Sequence, residues 1–127
     1  MTVVKVFRLW LPVIVWAGLI FYLSGVPDLK TGLDEDFILR KMAHVLEYFI
    51  LTFFLRRAFK GSLNMDVPRL FVYPAALAFL YAVSDEFHQL FVPGRNGCIK
   101  DVLIDGVGIF GLYIVIKIFT EEKLTSV

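Results

Sequence analysis

Two pairs of a histidine and a carboxylate stand in otherwise apolar sequence. His44 and Glu47 are three residues apart, and so are Asp85 and His88. On an α-helix this spacing puts both members of a pair on one face, within reach of the same proton or ligand. Histidine and carboxylate side chains are common general acids and bases, so these four residues are the candidate catalytic set. The alternative is a hydrogen-bond network that holds membrane helices in register.

Two cationic side chains near these pairs could bind an anion. Arg95 follows a Pro-Gly dipeptide in a turn-rich loop, and a guanidinium can hold a phosphate through two parallel hydrogen bonds. Lys41 could add a second positive charge, or it could only extend toward water. An ion pair between Arg95 and either Glu86 or Asp101 is the alternative. Three further polar residues could orient the catalytic and anion-binding groups: Gln89, Asp101 and Asp105.

The same residue types could supply metal ligands. The two histidine–carboxylate pairs, together with Asp101 and Asp105 one turn apart, resemble the ligand supply of carboxylate-rich helical bundles, although their order along the chain differs from that pattern. Ligand type does not separate zinc, manganese and magnesium here. The sequence therefore assigns neither a metal nor another cofactor.

The elements that position these residues are membrane-spanning helices. The 127-residue chain is 58% hydrophobic with a mean hydropathy of +0.74, which is too apolar for a water-soluble domain of this size. A net charge of +1 and the lack of a basic stripe argue against a nucleic-acid partner. We predict an all-α integral membrane bundle, with residues 1–127 forming a single domain in the lipid bilayer. Its four predicted spans cover about residues 7–23, 37–55, 70–92 and 102–119.

Small residues in the third and fourth spans indicate close helix packing. Ala75, Ala78 and Ala82 recur at spacings of three and four, and the same stripe continues to Asp85 and Gln89. This stripe predicts that the acidic residue faces other helices and not lipid. The G-x-G-x-x-G pattern at 106–111 follows no strand, so close packing explains it better than dinucleotide binding.

The distribution of basic residues predicts the orientation of the chain. Of the 13 lysines and arginines, eight flank the two termini and the connector between the second and third spans, and five fall on the other side. Because basic residues concentrate on the cytoplasmic side of a membrane, both termini are predicted to be cytoplasmic.

With this orientation the polar residues of all four spans fall between mid-membrane and the outer surface. Counting about 1.5 Å per residue from the cytoplasmic ends, Glu47 lies at about 13 Å, Asp105 at about 18 Å and His88 at about 28 Å. We therefore expect one polar cleft that opens toward the outer surface.

Four ordered motifs carry a family resemblance. They are Lys41-Met42-Ala43-His44-Val45-Leu46-Glu47-Tyr48, Asp85-Glu86-Phe87-His88-Gln89, Phe91-Val92-Pro93-Gly94-Arg95 and Asp101-Val102-Leu103-Ile104-Asp105. Together they resemble the VanZ family of small bacterial membrane proteins, over roughly residues 24–108. The resemblance implies a multi-span protein of the cytoplasmic membrane, in a family whose founding members are linked to resistance to the glycopeptide teicoplanin. Two positions depart from the family pattern: Ser24-Gly25-Val26-Pro27 stands where many members have Ser-Ser-x-Pro, and Asp105 stands where many have Asn.

These features favour a cell-envelope protein that recognises or processes an anionic lipid-linked ligand, such as a lipid-linked phosphate, at the outer leaflet. The residues fit an enzyme as well as a binding protein. One alternative is a proton-coupled transporter or exporter, because histidine and carboxylate chains inside membranes also relay protons. A noncatalytic membrane partner of cell-wall enzymes is the other alternative. Oligomeric state is not assigned by the sequence.

Overall fold

The computed structural model describes residues 2–27 and 36–125, with side chains for 2–27 and 37–121, and the described residues form four α-helices and no strand. The all-α prediction is therefore confirmed. The helices are α1 (Val3–Ser24), α2 (Asp36–Ser62), α3 (Val67–Gln89) and α4 (Ile99–Thr125).

Three of these helices are long and apolar enough to cross a membrane: α1, α3 and the Ile99–Glu121 part of α4. The predicted span at 37–55 lies within α2, which has 27 residues but carries more charged side chains. Apolar side chains such as Phe7, Ile14 and Ile114 are exposed on the outside of the bundle. This distribution suits a lipid surrounding. The side on which the termini lie stays a prediction.

Local sequence explains where α3 begins and ends. The side chain of Asp66 accepts a hydrogen bond from the backbone N–H of Arg69 at 3.1 Å, and Pro68 occupies the first turn, where its missing N–H costs least. The helix ends at Gln89, three residues before the predicted end of the span, and the chain continues in a turn in which the backbone N–H of Val92 donates to the carbonyl of Gln89.

The core of the bundle is organised around α2, which packs against the other three helices and most extensively against α4. Tyr48 and Leu51 of α2 are buried beside Ile109 of α4 and Ile20 of α1. The small-residue stripe predicted on α3 is confirmed, since its buried members include Ala82 at 0% exposure. Burial of this stripe turns the polar residues at the end of α3 toward the bundle interior.

One glycine sets the distance between α2 and α4. A Cβ atom built on Gly108 would collide with the backbone carbonyl oxygen of Val45, whereas one built on Gly106 would meet nothing within 4 Å. Close helix packing is therefore confirmed for Gly108 of the G-x-G-x-x-G pattern. It brings the polar faces of α2 and α4 together one turn farther along.

Two partly buried hydrogen bonds join α1 to its neighbours. The hydroxyl of Tyr81 donates to the carbonyl of Ala17 at 2.6 Å, and the indole N–H of Trp16 donates to the carbonyl of Glu47 at 2.9 Å. The end of α1 is therefore held next to the polar parts of α2 and α3.

Candidate functional site

The polar residues gather at the end of the bundle where α1 and α3 finish and α2 and α4 begin. Two polar side-chain contacts join α2 to α4 there. Lys41 pairs with Asp101, and one turn deeper His44 Nδ1 lies 2.8 Å from Asp105 Oδ1. Asp105 is fully buried. These contacts and Gly108 lie on successive turns of α4, so the tight packing at the glycine also determines how closely the charged groups meet.

The end of α3 contributes two buried carboxylates. Asp85 is 4% exposed, and the side-chain amide of Gln89 approaches its Oδ2 at 3.4 Å. Glu86 is 5% exposed, and its Oε2 accepts a hydrogen bond from the backbone N–H of Cys98 at 2.8 Å. A Cβ atom on Gly97 would collide with the carbonyl oxygen of Glu86, so the loop can lie this close to α3 only with glycine there.

Arg95 ties the same loop to the end of α1. Its Nε donates to the carbonyl of Val26 at 3.2 Å, and its Nη2 donates to the carbonyl of Leu23 at 2.9 Å. These bonds use two of the five N–H donors of a guanidinium. The alternative prediction of an ion pair with Glu86 or Asp101 is wrong, because Glu86 accepts from the loop backbone and Asp101 pairs with Lys41.

Two small cavities lie among these side chains. The mouth cavity, of about 190 Å³, faces the loop and is lined by Phe37, Lys41, Gly94, Asn96 and Asp101 together with four shared residues. The inner cavity, of about 150 Å³, lies deeper. Besides the residues that it shares with the mouth cavity, it is lined by Ser24, Glu47 and Asp85 and by three apolar side chains. Four residues line both cavities: Arg40, His44, Gln89 and Arg95.

The charges of the two cavities differ. Arg40, Lys41 and Arg95 line the mouth cavity against the single carboxylate of Asp101. The inner cavity lacks both Lys41 and Asp101 and is lined instead by the carboxylates of Glu47 and Asp85. An anionic group would therefore be favoured in the mouth, next to the acid–base side chains of the inner cavity.

An apolar groove adjoins the mouth cavity on the outer face of the bundle. It measures about 780 Å³, is lined mainly by apolar side chains of α2, and reaches Ile104 of α4. Phe37 and Lys41 line both the groove and the mouth cavity. A molecule with a hydrocarbon chain and an anionic head could contact both.

Of the nine residues predicted for the site, seven line the cavities and Asp105 contacts one of those seven. His88 is placed elsewhere. Its ring stacks on Phe21 of α1, with centroids 4.3 Å apart and planes 20° apart, and it lines neither cavity. The i, i+3 spacing to Asp85 puts both residues on one side of α3, but stacking on α1 draws the imidazole away from the cavities.

Sequence reasoning did not assign Ser24, Arg40 or Glu86 to the site. Arg40 was detectable, because it precedes His44 by four residues and therefore shares its helix face. Glu86 was considered only as a partner of Arg95. Its burial depends on how the loop folds back over α3, which residue spacing does not show.

Comparison with known proteins agrees with this architecture. The VanZ/LLP1 family model matches residues 7–120. The Bacillus subtilis (strain 168) protein named uncharacterized membrane protein YwnJ is 36% identical over 113 residues, a match that covers 80% of this chain and 74% of that protein. No solved structure matches the chain. The chain belongs to the VanZ/LLP1 family and is a multi-pass membrane protein.

Proposed function

We propose that this VanZ-family protein binds an anionic lipid-linked cell-wall precursor through its phosphate at the outer leaflet, and thereby contributes to resistance to teicoplanin. The observation that carries the proposal is the mouth cavity, with three cationic side chains, placed between a carboxylate-lined inner cavity and an apolar groove. A lipid phosphate combines the two chemistries that this surface offers.

Arg95 is the principal anion-binding residue in this proposal. Its two bonds to the end of α1 hold the guanidinium in place before a ligand arrives, which lowers the entropy cost of binding. Arg40 lines the same cavities and has no carboxylate partner among the described residues. Lys41 contributes positive charge while Asp101 orients it.

The size of the cavities limits what they can hold. Each is smaller than the roughly 300 Å³ at which sites for drug-sized ligands begin. The mouth cavity therefore suits a phosphate group, whereas a glycopeptide antibiotic is far too large for it. The apolar groove beside it has the volume and lining to accommodate part of a hydrocarbon chain.

The inner cavity supplies groups that could move a proton. Glu47 and Asp85 line it together with His44, which Asp105 orients through its imidazole Nδ1. A phosphate held in the mouth cavity would lie next to these residues, so they are the proposed catalytic set if the bound lipid is processed. His88 is proposed to act on the site indirectly, by stacking on the end of α1.

Placement of the binding site at the outer leaflet rests on the excess of basic residues at the opposite end of the bundle. The apolar core favours a closed pocket over the transporter alternative. Beyond the inner cavity, the buried residues of α2 are Leu51, Thr52, Leu55 and Ala58, and the hydroxyl of Thr52 donates within the helix to the carbonyl of Tyr48. A proton path through this region would need a chain of polar groups in place of the apolar side chains among these.

Binding of a polyprenyl phosphate to the purified protein in detergent tests the proposal, with the matching uncharged polyprenol as the control lipid. We expect the phosphate to bind, and the Arg40→Gln and Arg95→Gln variants each to bind at least about tenfold more weakly, because each loses charge-assisted hydrogen bonds. Native mass spectrometry reports the bound lipid directly.

A matched variant controls for nonspecific attraction. Arg56→Gln combined with Arg57→Gln removes two positive charges from a cavity at the other end of α2, and it should leave affinity unchanged. Equal binding of phosphate and alcohol, or loss of binding only in this control, would contradict the proposal. Thermal unfolding of each variant shows whether Arg95→Gln acts through the end of α1.

The physiological part of the proposal has its own test. A deletion strain should become more sensitive to teicoplanin, and the wild-type gene should restore resistance while the Arg40→Gln gene should not. Unchanged sensitivity of the deletion strain would remove the resistance role and leave lipid binding to be judged by the binding assay.

A further inference from the structure

Three side chains with metal-binding atoms converge beside the inner cavity, one from each of α2, α3 and α4. They are His44, Glu86 and Asp105, and each offers a ligand atom that lies within 4.8 Å of the other two. Asp105 is fully buried and Glu86 is 5% exposed. The imidazole of His44 is 11% exposed, so the cluster lies within the bundle and not on its surface.

Both carboxylates in this cluster have one oxygen without a protein partner. Glu86 Oε1 and Asp105 Oδ2 make no hydrogen bond to any described residue, although their other oxygens are held by the N–H of Cys98 and by His44. Burying carboxylate oxygens without donors is unfavourable, and two buried carboxylates close together also repel each other.

Neither Lys41 nor Arg95 donates a hydrogen bond to these two carboxylate oxygens. Lys41 pairs with Asp101, and the hydrogen bonds of Arg95 go to backbone carbonyls of α1 and the residues after it. A divalent cation at the point of convergence would compensate both carboxylates at once.

We propose that His44, Glu86 and Asp105 bind a divalent transition-metal ion of the zinc or manganese type. One imidazole and two carboxylates suit these ions, whereas magnesium and calcium favour ligand sets made of oxygen alone. The N–H of Cys98 would fix the orientation of Glu86 as a second-shell donor. Three protein ligands leave a coordination position for a water or a ligand atom.

This metal site is inferred from contacts among three side chains and not from the lipid-binding proposal, so it can be tested without lipid. Because His44 also lines both cavities, a bound ion would lie at their edge. It would add positive charge at that edge.

Metal content of the tag-free protein tests the proposal without any lipid. Purified protein is stripped with a chelator, exposed to zinc chloride or manganese chloride, and freed of unbound ion by gel filtration. Inductively coupled plasma mass spectrometry should find one metal ion per protein chain. Competition with a chromophoric chelator should show affinity reduced at least about tenfold in Glu86→Gln and Asp105→Asn, because loss of a direct ligand costs at least as much as loss of a second-shell group.

The chain contains a matched histidine control, because it has only two histidines. His44→Gln should lose the ion and His88→Gln should keep it. Glu121→Gln, at an exposed carboxylate near Lys117, controls for loss of a negative charge. Zinc should also raise the unfolding temperature of the wild-type protein and not that of Glu86→Gln, which separates ligand loss from misfolding.

Four results would overturn the assignment. The first two are a wild-type protein that retains no metal ion and retention of the ion by all three ligand variants. The other two are loss of the ion in His88→Gln but not in His44→Gln, and binding of magnesium as tightly as zinc and manganese.

Discussion

Replacement of Gly108 by alanine tests the packing that brings the site together. The new Cβ atom would collide with the Val45 carbonyl oxygen and would also lie 3.0 Å from the backbone nitrogen of Phe49. Both obstacles belong to the backbone of α2, so no side-chain rotation relieves them and the two helices must separate. Overpacking of this kind costs about 1–3 kcal/mol, and a backbone obstacle places it in the upper half of that range.

The opposing effect is the gain in helix propensity, about 1 kcal/mol for alanine over glycine. We therefore expect Gly108→Ala to lower the free energy of unfolding by a net of about 1–2 kcal/mol. Gly106→Ala has the same propensity gain and no collision, because nothing lies within 4 Å of its Cβ position. It should raise the free energy of unfolding by up to about 1 kcal/mol, so the difference between the two variants isolates the overpacking cost.

Equilibrium unfolding in mixed detergent micelles, followed by circular dichroism, measures both variants. Gly111→Ala is a second control, because its Cβ would lie 3.8 Å from the ring of Phe49, an ordinary contact. Separation of α2 from α4 should also weaken metal binding in Gly108→Ala, since His44 and Asp105 come from these two helices. Equal stability of the Gly106 and Gly108 variants would refute the claim that this glycine sets the helix distance.

Three further predictions follow from individual contacts. Tyr81→Phe removes the donor to the Ala17 carbonyl and should destabilise the protein by about 0.6 kcal/mol, and at most about 1.7, in the same unfolding assay; a larger loss would show that the ring packing is disturbed as well. Cys98, the single cysteine, should react with a membrane-impermeant maleimide in intact cells, and labelling only after lysis would reverse the proposed orientation. In the deletion strain, Asp85→Asn should fail to restore teicoplanin resistance even at wild-type protein levels. The control Asp66→Asn, at the exposed start of α3, should restore it. Full resistance with Asp85→Asn would remove that carboxylate from the proposed catalytic set.

The helical fold and the grouping of the polar residues could be predicted because both follow from periodicity. A helix places residues three and four apart on one face, so the alanine stripe of α3 indicated that Asp85 and Gln89 face the bundle, as their burial shows. The lengths of the spans also predicted that the polar residues of separate helices lie between mid-membrane and the outer surface.

Pairings across helices could not be predicted in the same way. The sequence suggested His44 with Glu47 and Asp85 with His88, both within one helix, but the short contact of His44 is with Asp105, 61 residues away. The partner of His44 depends on the rotation of α2 against α4, which the contact at Gly108 determines.

Two other placements could not be predicted either. The position of His88 is set by an aromatic contact with Phe21. The position of Glu86 is set by a loop that can lie so close to it only because residue 97 is glycine.

The position of the phosphorus atom in a structure of the protein with bound polyprenyl phosphate tests the central claim most directly. We expect the phosphate to lie in the mouth cavity, within hydrogen-bond reach of the Arg95 guanidinium and close to Arg40. The hydrocarbon chain should lie along the apolar groove, which shares Phe37 with that cavity. A phosphate bound instead against Arg56 and Arg57 at the other end of α2, with the mouth cavity filled only by water, would contradict it.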